Sequence, residues 1–357
     1  MTDDPTQTSG SEFQKDNHYV PRLYLKRWAN DDKAVNTYRI LVPHQNVHLW
    51  KRQSTKGLAY HEHLYTRAMA SGETDEVEKW LARDFEEPAE VPLQKVVSRA
   101  RLSREDWQCL IRFAAAQDVR TPARMLEMMR RWHSAEMGGC FQGILESSVN
   151  EYADAMRQGR SIQRTPSPGT EYFPGRVTTG IEPGAEEGFV RAEMITGRAY
   201  WLFAIRRLLN TTINTLLEHR WTILCPPRHM RWLTSDDPFV KLNFHSAATY
   251  DFKGGWGSPG TEILLPLDPG HMLYTKIGER RLWERNVQVP EDTALGFQKF
   301  TSEHAHRLIF AVDDDPLVQR LRPRTVDAVA FRHEQEQWAR WNKQQGEAER
   351  HVYGAAR

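Results

Sequence analysis

Apolar side chains recur every three or four residues through the middle of the chain, which is the spacing of one face of an α-helix. Residues 73–87, 103–120 and 186–218 carry this pattern, so we predict a helix in each. The third segment has the longest apolar stripe, made of Leu202, Ile205, Leu209, Ile213 and Leu216. We expect Pro88 and Pro92 to end the first helix, because proline lacks a backbone donor and clashes with the preceding turn.

A break is predicted inside the helical region. Ser103, followed three residues later by Asp106, resembles a capping box and opens one helix. Thr121 and Pro122 then open a second helix, with the threonine as N-cap and the proline at the first helical position. This helix is predicted to run to about residue 158, and the segment that follows it, 159–185, is rich in Pro, Gly and Thr, which favours a long loop.

Short apolar runs replace the helical pattern after Arg220. Between residues 221 and 276, successive strands are predicted in the runs WTILC, MRWLT, FVKLN, TEILLPL and HMLYTK. RLIFAV (307–312) predicts another strand, and VNTYRI (35–40) and VHLW (47–50) predict two near the start. Helices in the middle and strands mainly in the last third indicate an α+β fold, with a central helical layer packed on a mainly antiparallel sheet formed by the last third.

These patterns predict one main domain flanked by two tails. The first residues lack the basic and apolar regions of a signal peptide, so we expect no secretion signal. The predicted parts are a disordered N-terminus at 1–14, a single α+β domain at 15–325 with a helical part at about 73–218 and a sheet part at about 220–312, and a polar C-terminal helix and tail at 326–357.

Composition narrows the choice of partners and compartment. The 357 residues include 48 Lys plus Arg and 47 Asp plus Glu, so no overall basic excess indicates a nucleic-acid partner, and any phosphate site must be local. Three widely spaced cysteines without a CxxC pair argue against a disulfide framework and favour a reducing cytoplasm. No apolar run is long enough to predict a membrane span.

The stretch LTSDDPFV (233–240) concentrates polar side chains at the end of a predicted strand. A strand end presents side chains to a ligand on a rigid support, although Ser-Asp-Asp-Pro is also ordinary turn chemistry. Glu262 opens the next predicted strand and is expected to approach Asp236 and Asp237. Three carboxylates suit Mg²⁺, which prefers oxygen ligands, but Glu262 lacks the Glu-x-Lys continuation of the common metal-dependent nuclease core.

The stretch NHYVPRLYLKRW (17–28) places His18 just before a short predicted helix. Pro21 keeps the backbone that precedes it extended. Two interpretations stay open: His18 belongs to an N-terminal arm that packs on the core, or it is a catalytic group with partners elsewhere in the chain. Arg120 raises a similar choice, because at a helix break it can bind an anion together with free N–H groups, or it can pair with an acid such as Glu86.

Other familiar signatures give little support to a known chemistry. The sequence has no GxxxxGK[ST], no GxGxxG after a strand, no GxSxG and no HExxH. These absences argue against a P-loop ATPase, a dinucleotide-dependent oxidoreductase, a serine hydrolase and a zincin protease. His61 with His63, and His304 with His306, have the spacing of metal ligands on a strand, but no third ligand matches either pair.

The chain resembles a bacterial family catalogued as domain of unknown function 4238 over roughly residues 15–312. The resemblance rests on the order of four motifs: NHYVPRLYLKRWA, QDVRTPAR, LTSDDPFV and LLPLDPG. The chain departs from the family pattern at Trp28, where Phe is usual, and at Asp237, where Asn is frequent. The resemblance implies that functional positions include His18, Tyr19, Pro21, Tyr24, Glu86, Arg120, Ser235, Asp236 and Asn286.

With the resemblance included, we expect a hydrolase that acts on a phosphate-containing substrate, such as a nuclease or other phosphodiesterase or a nucleotide hydrolase, in a cytoplasmic bacterial defence or toxin system. His18 is expected to act as general acid or base and Arg120 to clamp the phosphate. Asp236 is expected to orient His18 or, with Asp237, to hold Mg²⁺. The expected substrate-binding residues are Tyr19, Tyr24 and Ser235.

Two alternatives stay open at the level of sequence. The first is a non-enzymatic binding or regulatory component of such a system, with the 159–185 loop and the C-terminal helix as surfaces for a protein partner. The second is an enzyme that processes a sugar or small metabolite, with Asp236 and Glu262 as a carboxylate pair.

Overall fold

A computed structural model describes most of the chain, and the fold is mixed α+β, as predicted. The described residues are 15–30, 33–69, 72–132, 150, 154, 157–158, 174–181, 188–279 and 283–354. The predicted N-terminus at 1–14 and most of the predicted helix beyond residue 132 lie outside this set.

Helices dominate the middle of the chain and return at its end. The α-helices of the described part, α1 to α10 in chain order, are Arg22–Leu25, Glu76–Leu81, Glu90–Val97, Arg104–Val119, Pro122–Trp132, Arg198–Arg207, Ile213–Leu217, Glu291–His304, Pro316–Leu321 and Ala328–Gly354. They are accompanied by 3₁₀ turns at Lys26–Trp28, Thr55–Gly57 and Glu87–Ala89 and by π turns at Ala82–Glu86 and Leu208–Thr212.

Strands lie at both ends of the chain and in one central hairpin. The strands of the described part, β1 to β18, are Asp16–His18, Ala34–Arg39, Leu41–Val42, Trp50–Ser54, Tyr60–Glu62, Arg67–Met69, Gly72–Thr74, Gly175–Ile181, Gly188–Met194, Thr222–Cys225, Thr234–Ser235, Val240–Ser246, Thr249–Asp251, Glu262–Asp268, His271–Lys276, Val287–Gln288, Leu308–Ala311 and Thr325–Val326.

Two larger sheets organise these strands. The six-stranded sheet has the order β13-β12-β14-β15-β10-β16, and its pairs are antiparallel except for the parallel pair β10–β16. The four-stranded sheet has the order β11-β17-β2-β4 and joins two strands from the start of the chain to two from its last third. The sequence pattern did not predict this second sheet, because strand pairing between distant segments leaves no local signal.

The local helix signals are confirmed. Ser103 and Asp106 form a reciprocal capping box at the start of α4. Helix α4 ends at Val119 and α5 begins at Pro122, with the backbone N–H of Arg124 donating to Thr121 Oγ1 at 3.2 Å. The predicted apolar stripe of the 198–217 helices is buried in the main core.

The predicted loop at 159–185 and the first part of the predicted helix at 186–218 are wrong where the structure describes them, at 175–181 and 188–194, and the rest of that loop lies outside the described residues. Strands β8 and β9 form an antiparallel hairpin there, from Gly175 to Met194, and the helix begins only at Arg198. Residue Gly197 has φ +113°, a conformation that suits glycine. The sequence GFVRAEM contains good helix formers, and tertiary pairing overrides that weak preference.

Two prolines and two short apolar runs also differ from expectation. Pro88 and Pro92 do not break the helix, since the backbone stays helical from α2 through a π turn and a 3₁₀ turn into α3. Each proline lies in the first turn of a new segment, where its missing N–H costs no hydrogen bond. The strand predicted at 47–50 begins at Trp50 instead, and in MRWLT only the final threonine is in a strand.

Candidate functional site

The N-terminal motif anchors the start of the chain to the segment that carries the aspartates. Tyr24 is fully buried, and its hydroxyl donates to the carbonyl of Pro266 and lies 2.6 Å from Thr234 Oγ1. The indole of Trp28 donates to the carbonyl of Trp232 at 2.8 Å. The Tyr24 hydroxyl, which was expected to bind substrate, is therefore occupied by these protein contacts.

Arg120 is the centre of a buried polar network below the N-terminal strand. Its guanidinium contacts Glu86 at 2.5 Å, the backbone carbonyl of His18 at 2.6 Å and the Tyr65 hydroxyl at 3.4 Å, and Glu78 lies 3.7 Å away. Burial works to lower the pKa of Arg120, but Glu86 and its other neighbours outweigh burial and raise the pKa above its ordinary value. These contacts match the pairing with Glu86 that the sequence left open.

The His18 ring lies in a small cavity above this network. The cavity has about 200 Å³ and is lined in part by His18, Pro21, Glu78 and Glu86. Nε2 of His18 is 3.3 Å from the carbonyl of Lys56, and since a carbonyl only accepts, Nε2 carries the proton. Burial lowers the pKa of His18. The structure thus brings His18 and Arg120 together through the His18 backbone carbonyl.

Asp236 has a different set of partners. Its buried carboxylate accepts the backbone N–H groups of His306 at 2.9 Å and Arg307 at 2.8 Å. Burial raises the pKa of Asp236 to about 7. No hydrogen bond or ion pair joins its carboxylate to the described His18 ring or Arg120 guanidinium. Ser235 is also buried, and its hydroxyl accepts the backbone N–H of Asp237 at 3.2 Å, as in a tight turn.

The predicted Mg²⁺ ligands are not assembled. Glu262 accepts a hydrogen bond from the Tyr274 hydroxyl at 3.0 Å and lies 3.9 Å from Lys276, and neither of these residues is a described partner of Asp236 or Asp237. Within the described ranges, no group of three or more His, Cys, Asp or Glu side chains is arranged to hold a metal ion.

The two later motifs meet in a larger open pocket of about 870 Å³, which we call the His304 pocket. Its walls include Asp118, Arg124, Asp237, Lys241, Phe252 and His304. The Thr121 hydroxyl, at the start of α5, donates to Asp237 Oδ1 at 2.8 Å. The hydrogen bond between Thr121 and Asp237 therefore joins the Arg-Thr-Pro motif to the turn that carries the aspartates. The pocket lies beside this hydrogen bond.

His304 is oriented by Asp237. Nδ1 of His304 lies 2.9 Å from the Asp237 backbone carbonyl and 3.6 Å from its Oδ2. The carbonyl can only accept, so Nδ1 is the protonated nitrogen and Nε2 of a neutral ring is an acceptor. In the described part of the chain Nε2 has no hydrogen-bond partner. The ring of Phe252 stands edge-on to the imidazole at 5.2 Å.

A buried ion pair forms the floor of the pocket. Lys241 Nζ contacts Asp118 Oδ1 at 2.5 Å, and the indole N–H of Trp256 donates to Asp118 Oδ2 at 2.7 Å. Burial opposes ionisation of Asp118, but Lys241 and Arg124 hold its pKa below the ordinary value. Burial raises the pKa of Asp237 and lowers that of Lys241. The pocket thus combines a fixed charge pair with an oriented imidazole.

Sequence reasoning assigned no place in this pocket to Asp118, Arg124, Lys241 or His304. Asp118 and Arg124 flank the Arg-Thr-Pro motif, and Lys241 interrupts the apolar strand FVKLN. A lysine at a position that must be buried on both faces needs an acidic partner, and this signal could have been used. His304 is the last residue of α8, and the only sequence signal for it was its i, i+2 spacing from His306.

The remaining nominated residues have separate places. Tyr19 lines another pocket, of about 540 Å³, which we call the Tyr19 pocket. Asn286 has φ 60°, a left-handed conformation that asparagine tolerates well. The predicted catalytic roles of His18, Arg120 and Asp236 stay predictions.

Comparison with known proteins assigns the family. A family model described as "Protein of unknown function (DUF4238)" matches residues 16–315, so the chain belongs to this family. No curated protein and no solved structure matches the chain. None of the helices in the described ranges is long and apolar enough to cross a membrane.

Proposed function

We propose that this DUF4238 protein is a hydrolase that acts on a phosphate-containing substrate, as a nuclease or nucleotide hydrolase, in the His304 pocket. The observation that carries the proposal is the oriented imidazole, with Nδ1 bound to Asp237 and Nε2 without a protein partner among the described residues. The predictions of a defence or toxin role, of a protein partner and of a cytoplasmic location remain predictions.

The arrangement of His304 and Asp237 supports general acid–base chemistry. Nε2 takes a proton from a water molecule whose oxygen attacks phosphorus, the P–O bond to the leaving group breaks, and the leaving oxygen receives the proton. The Asp237 carboxyl, 3.6 Å from Nδ1, stabilises the imidazolium that forms between these steps. This mechanism needs Nδ1 to be held by the protein and Nε2 to be available to the substrate and the attacking water.

The charge of the pocket supports an anionic substrate. Among the described residues that line it, five are cationic and four are acidic: Arg124, Arg130, Arg131, Lys241 and Lys253, and Asp118, Glu127, Asp237 and Asp251. Lys241 is held by Asp118, and Arg124 and Arg131 pair with Glu127. Arg130 and Lys253 are exposed at the pocket. Exposed cations attract a phosphate and steer it to the site, and a positioned arginine or lysine stabilises charge that develops on the phosphoryl oxygens.

Replacement of His304 tests the proposal. The wild-type chain, His304→Ala and the control His229→Ala are assayed with bis(p-nitrophenyl) phosphate, single-stranded DNA, RNA and nucleoside triphosphates. Loss of a general base lowers the rate by about a hundredfold to ten-thousandfold, so His304→Ala is expected to lose activity to that extent. His229, an exposed residue 3.6 Å from Glu291, is expected to be dispensable.

Two outcomes would overturn the proposal. Hydrolysis that survives in His304→Ala rules out this imidazole as the base. Absence of hydrolysis of every substrate by the folded wild-type chain rules out the reaction class. Circular dichroism and the melting temperature of both variants separate loss of chemistry from loss of fold.

A further inference from the structure

The Tyr19 pocket is lined by residues of two sequence motifs and adjoins a third. It lies where the N-terminal strand region meets the last helix, α10, and its walls include Tyr19, Pro122, His306 and Trp338. Tyr19 follows His18, Pro122 belongs to the Arg-Thr-Pro motif, and the backbone N–H of His306 is held by Asp236. Segments that are far apart in sequence therefore meet at one concave surface.

The Tyr19 hydroxyl has no hydrogen-bond partner among the described residues, although most of the side chain is buried. The side chain is only 6% exposed. Burial raises the pKa of Tyr19 well above its ordinary value, so the hydroxyl keeps its proton and can donate. Because Tyr19 lines the pocket, a ligand there can supply the hydrogen-bond partner that the hydroxyl lacks.

Two imidazoles in the same pocket also have unused hydrogen-bonding capacity. Burial lowers the pKa of His61 to about 4 and that of His306 to about 3. Both rings are therefore neutral at pH 7, and each offers one donor and one acceptor. Neither ring makes a hydrogen bond within the described part of the chain. A ligand that both donates and accepts hydrogen bonds fits this set.

The walls add aromatic surface and positive charge. The His61 ring stacks on Tyr19 at 5.3 Å and on Trp338 at 4.2 Å between centroids. Among the described residues that line the pocket, the cations are Arg39, Lys51, Arg307 and Arg324, and the one acid is Glu334. Since Glu334 pairs with both Arg39 and Arg307, the surplus is positive and favours an anion.

From these features we propose that the Tyr19 pocket binds a nucleoside phosphate at a site separate from the His304 pocket. Its base packs against the aromatic wall and bonds to Tyr19 and the imidazoles, while its phosphate lies at the cations. A volume of about 540 Å³ falls within the range of small-molecule sites. The two pockets adjoin the same segments, because Pro122 and His306 line this one and Ala123 and His304 line the other.

Calorimetric titration of the full chain with adenosine 5′-monophosphate, ribose 5-phosphate and inorganic phosphate tests the site. We expect saturable binding of the nucleotide and much weaker binding of the other two, because base stacking contributes a large part of the affinity. Absence of nucleotide binding at millimolar concentration would overturn the proposal. Equal binding of nucleotide and ribose 5-phosphate would overturn the assignment of the base to the aromatic wall.

Substitution of Tyr19 tests whether the ligand binds in the Tyr19 pocket. Tyr19→Phe removes only the hydroxyl and is expected to weaken nucleotide binding about threefold to tenfold, whereas Tyr274→Phe, which alters a tyrosine in the six-stranded sheet, is expected to leave it unchanged. Tyr19→Phe should also keep the wild-type melting temperature, since its hydroxyl has no described protein partner. A marked drop in that temperature, or unchanged nucleotide affinity, would contradict the proposed role of the hydroxyl.

A second pair of variants tests the aromatic wall and the separation of the two sites. Trp338→Leu is expected to weaken nucleotide binding about tenfold or more. Trp283→Leu, which is outside the pocket lining and packs against a separate core cluster, is expected to have little effect. His304→Ala should bind the nucleotide normally, whether or not it has lost hydrolysis. If His304→Ala abolishes binding, the ligand lies in the His304 pocket and the proposed second site is wrong.

Discussion

Asp236 and Asp237 show that two adjacent identical residues can have unrelated roles. Asp236 accepts two backbone N–H groups at the start of β17, and Asp237 contacts Thr121 and His304. Successive side chains of an extended segment point to opposite sides, so the turn directs one carboxylate toward the strand and the other toward the His304 pocket. An Asp236 variant is therefore expected to affect stability, and an Asp237 variant to affect the site.

Asp236 is expected to make stability depend on pH. Burial raises its pKa to about 7, compared with an ordinary value of 3.8, so the folded chain holds this proton more tightly than the unfolded chain. The free energy of unfolding should therefore fall as the pH rises from about 4 to about 7 and then level off, with a maximal slope of about 1.4 kcal/mol per pH unit for one proton. Glu78, whose pKa burial also raises to about 7, adds a slope of the same sign.

Asp236→Asn tests this contribution. Urea denaturation at several pH values between 5.5 and 8 should give a shallower pH dependence than the wild type, because one titrating group is gone. Asp313→Asn, which changes an exposed carboxylate, serves as the control and should keep the wild-type slope. An Asp236→Asn slope equal to that of the wild type would show that Asp236 does not titrate in this range.

At the scale of elements, the start of α5 combines a helix cap with a contact to the site. Thr121 accepts the Arg124 N–H at 3.2 Å and donates to Asp237 at 2.8 Å. Loss of a cap costs about 1 kcal/mol, and loss of a partner for a buried carboxylate adds about 1–3 kcal/mol. We therefore expect Thr121→Ala to lower the free energy of unfolding by about 2–4 kcal/mol.

Two other substitutions calibrate that value in the same urea denaturation experiments. Ser103→Ala removes a capping box without a contact to the site and should cost about 1 kcal/mol. Thr211→Ala removes an exposed hydroxyl that bonds back to the carbonyl of Arg207 and should change little. If Thr121→Ala costs no more than Ser103→Ala, its bond to Asp237 does not contribute to stability.

These elements also show what the sequence could reveal. The capping box at Ser103, the break at Thr121 and the apolar stripes were predictable because each signal lies within a few residues. The β8–β9 hairpin was not, since glycine- and threonine-rich sequence suits both loops and strands. The site was only half predictable for a similar reason. Arg120 and Arg124 occur in one short motif, and only partners from distant segments determine which of them is buried with Glu86 and which lines the His304 pocket.

At the scale of the whole molecule, the two ends of the chain are packed together. The four-stranded sheet pairs β2 with β17, and α10 packs beside β6. The key contact of α10 is a buried ion pair, in which Arg198 donates to both carboxylate oxygens of Glu349 at 2.9 Å. Glu349 also accepts the backbone N–H of Ala68 at 2.9 Å. Helix α10 lies beyond residue 315, where the family match ends, yet it forms one wall of the Tyr19 pocket through Trp338.

Breaking this ion pair should destabilise the molecule and alter the Tyr19 pocket. Glu349→Gln leaves the buried Arg198 charge without its carboxylate, which typically costs about 3–5 kcal/mol, whereas Glu347→Gln, at an exposed position on the same helix, should cost little. Urea denaturation measures both. Since α10 carries Trp338, Glu349→Gln should also weaken nucleotide binding under conditions where the chain remains folded. Unchanged stability would show that the pair does not fix the helix, and lower stability with unchanged binding would show that the pocket does not depend on how this end of α10 is held.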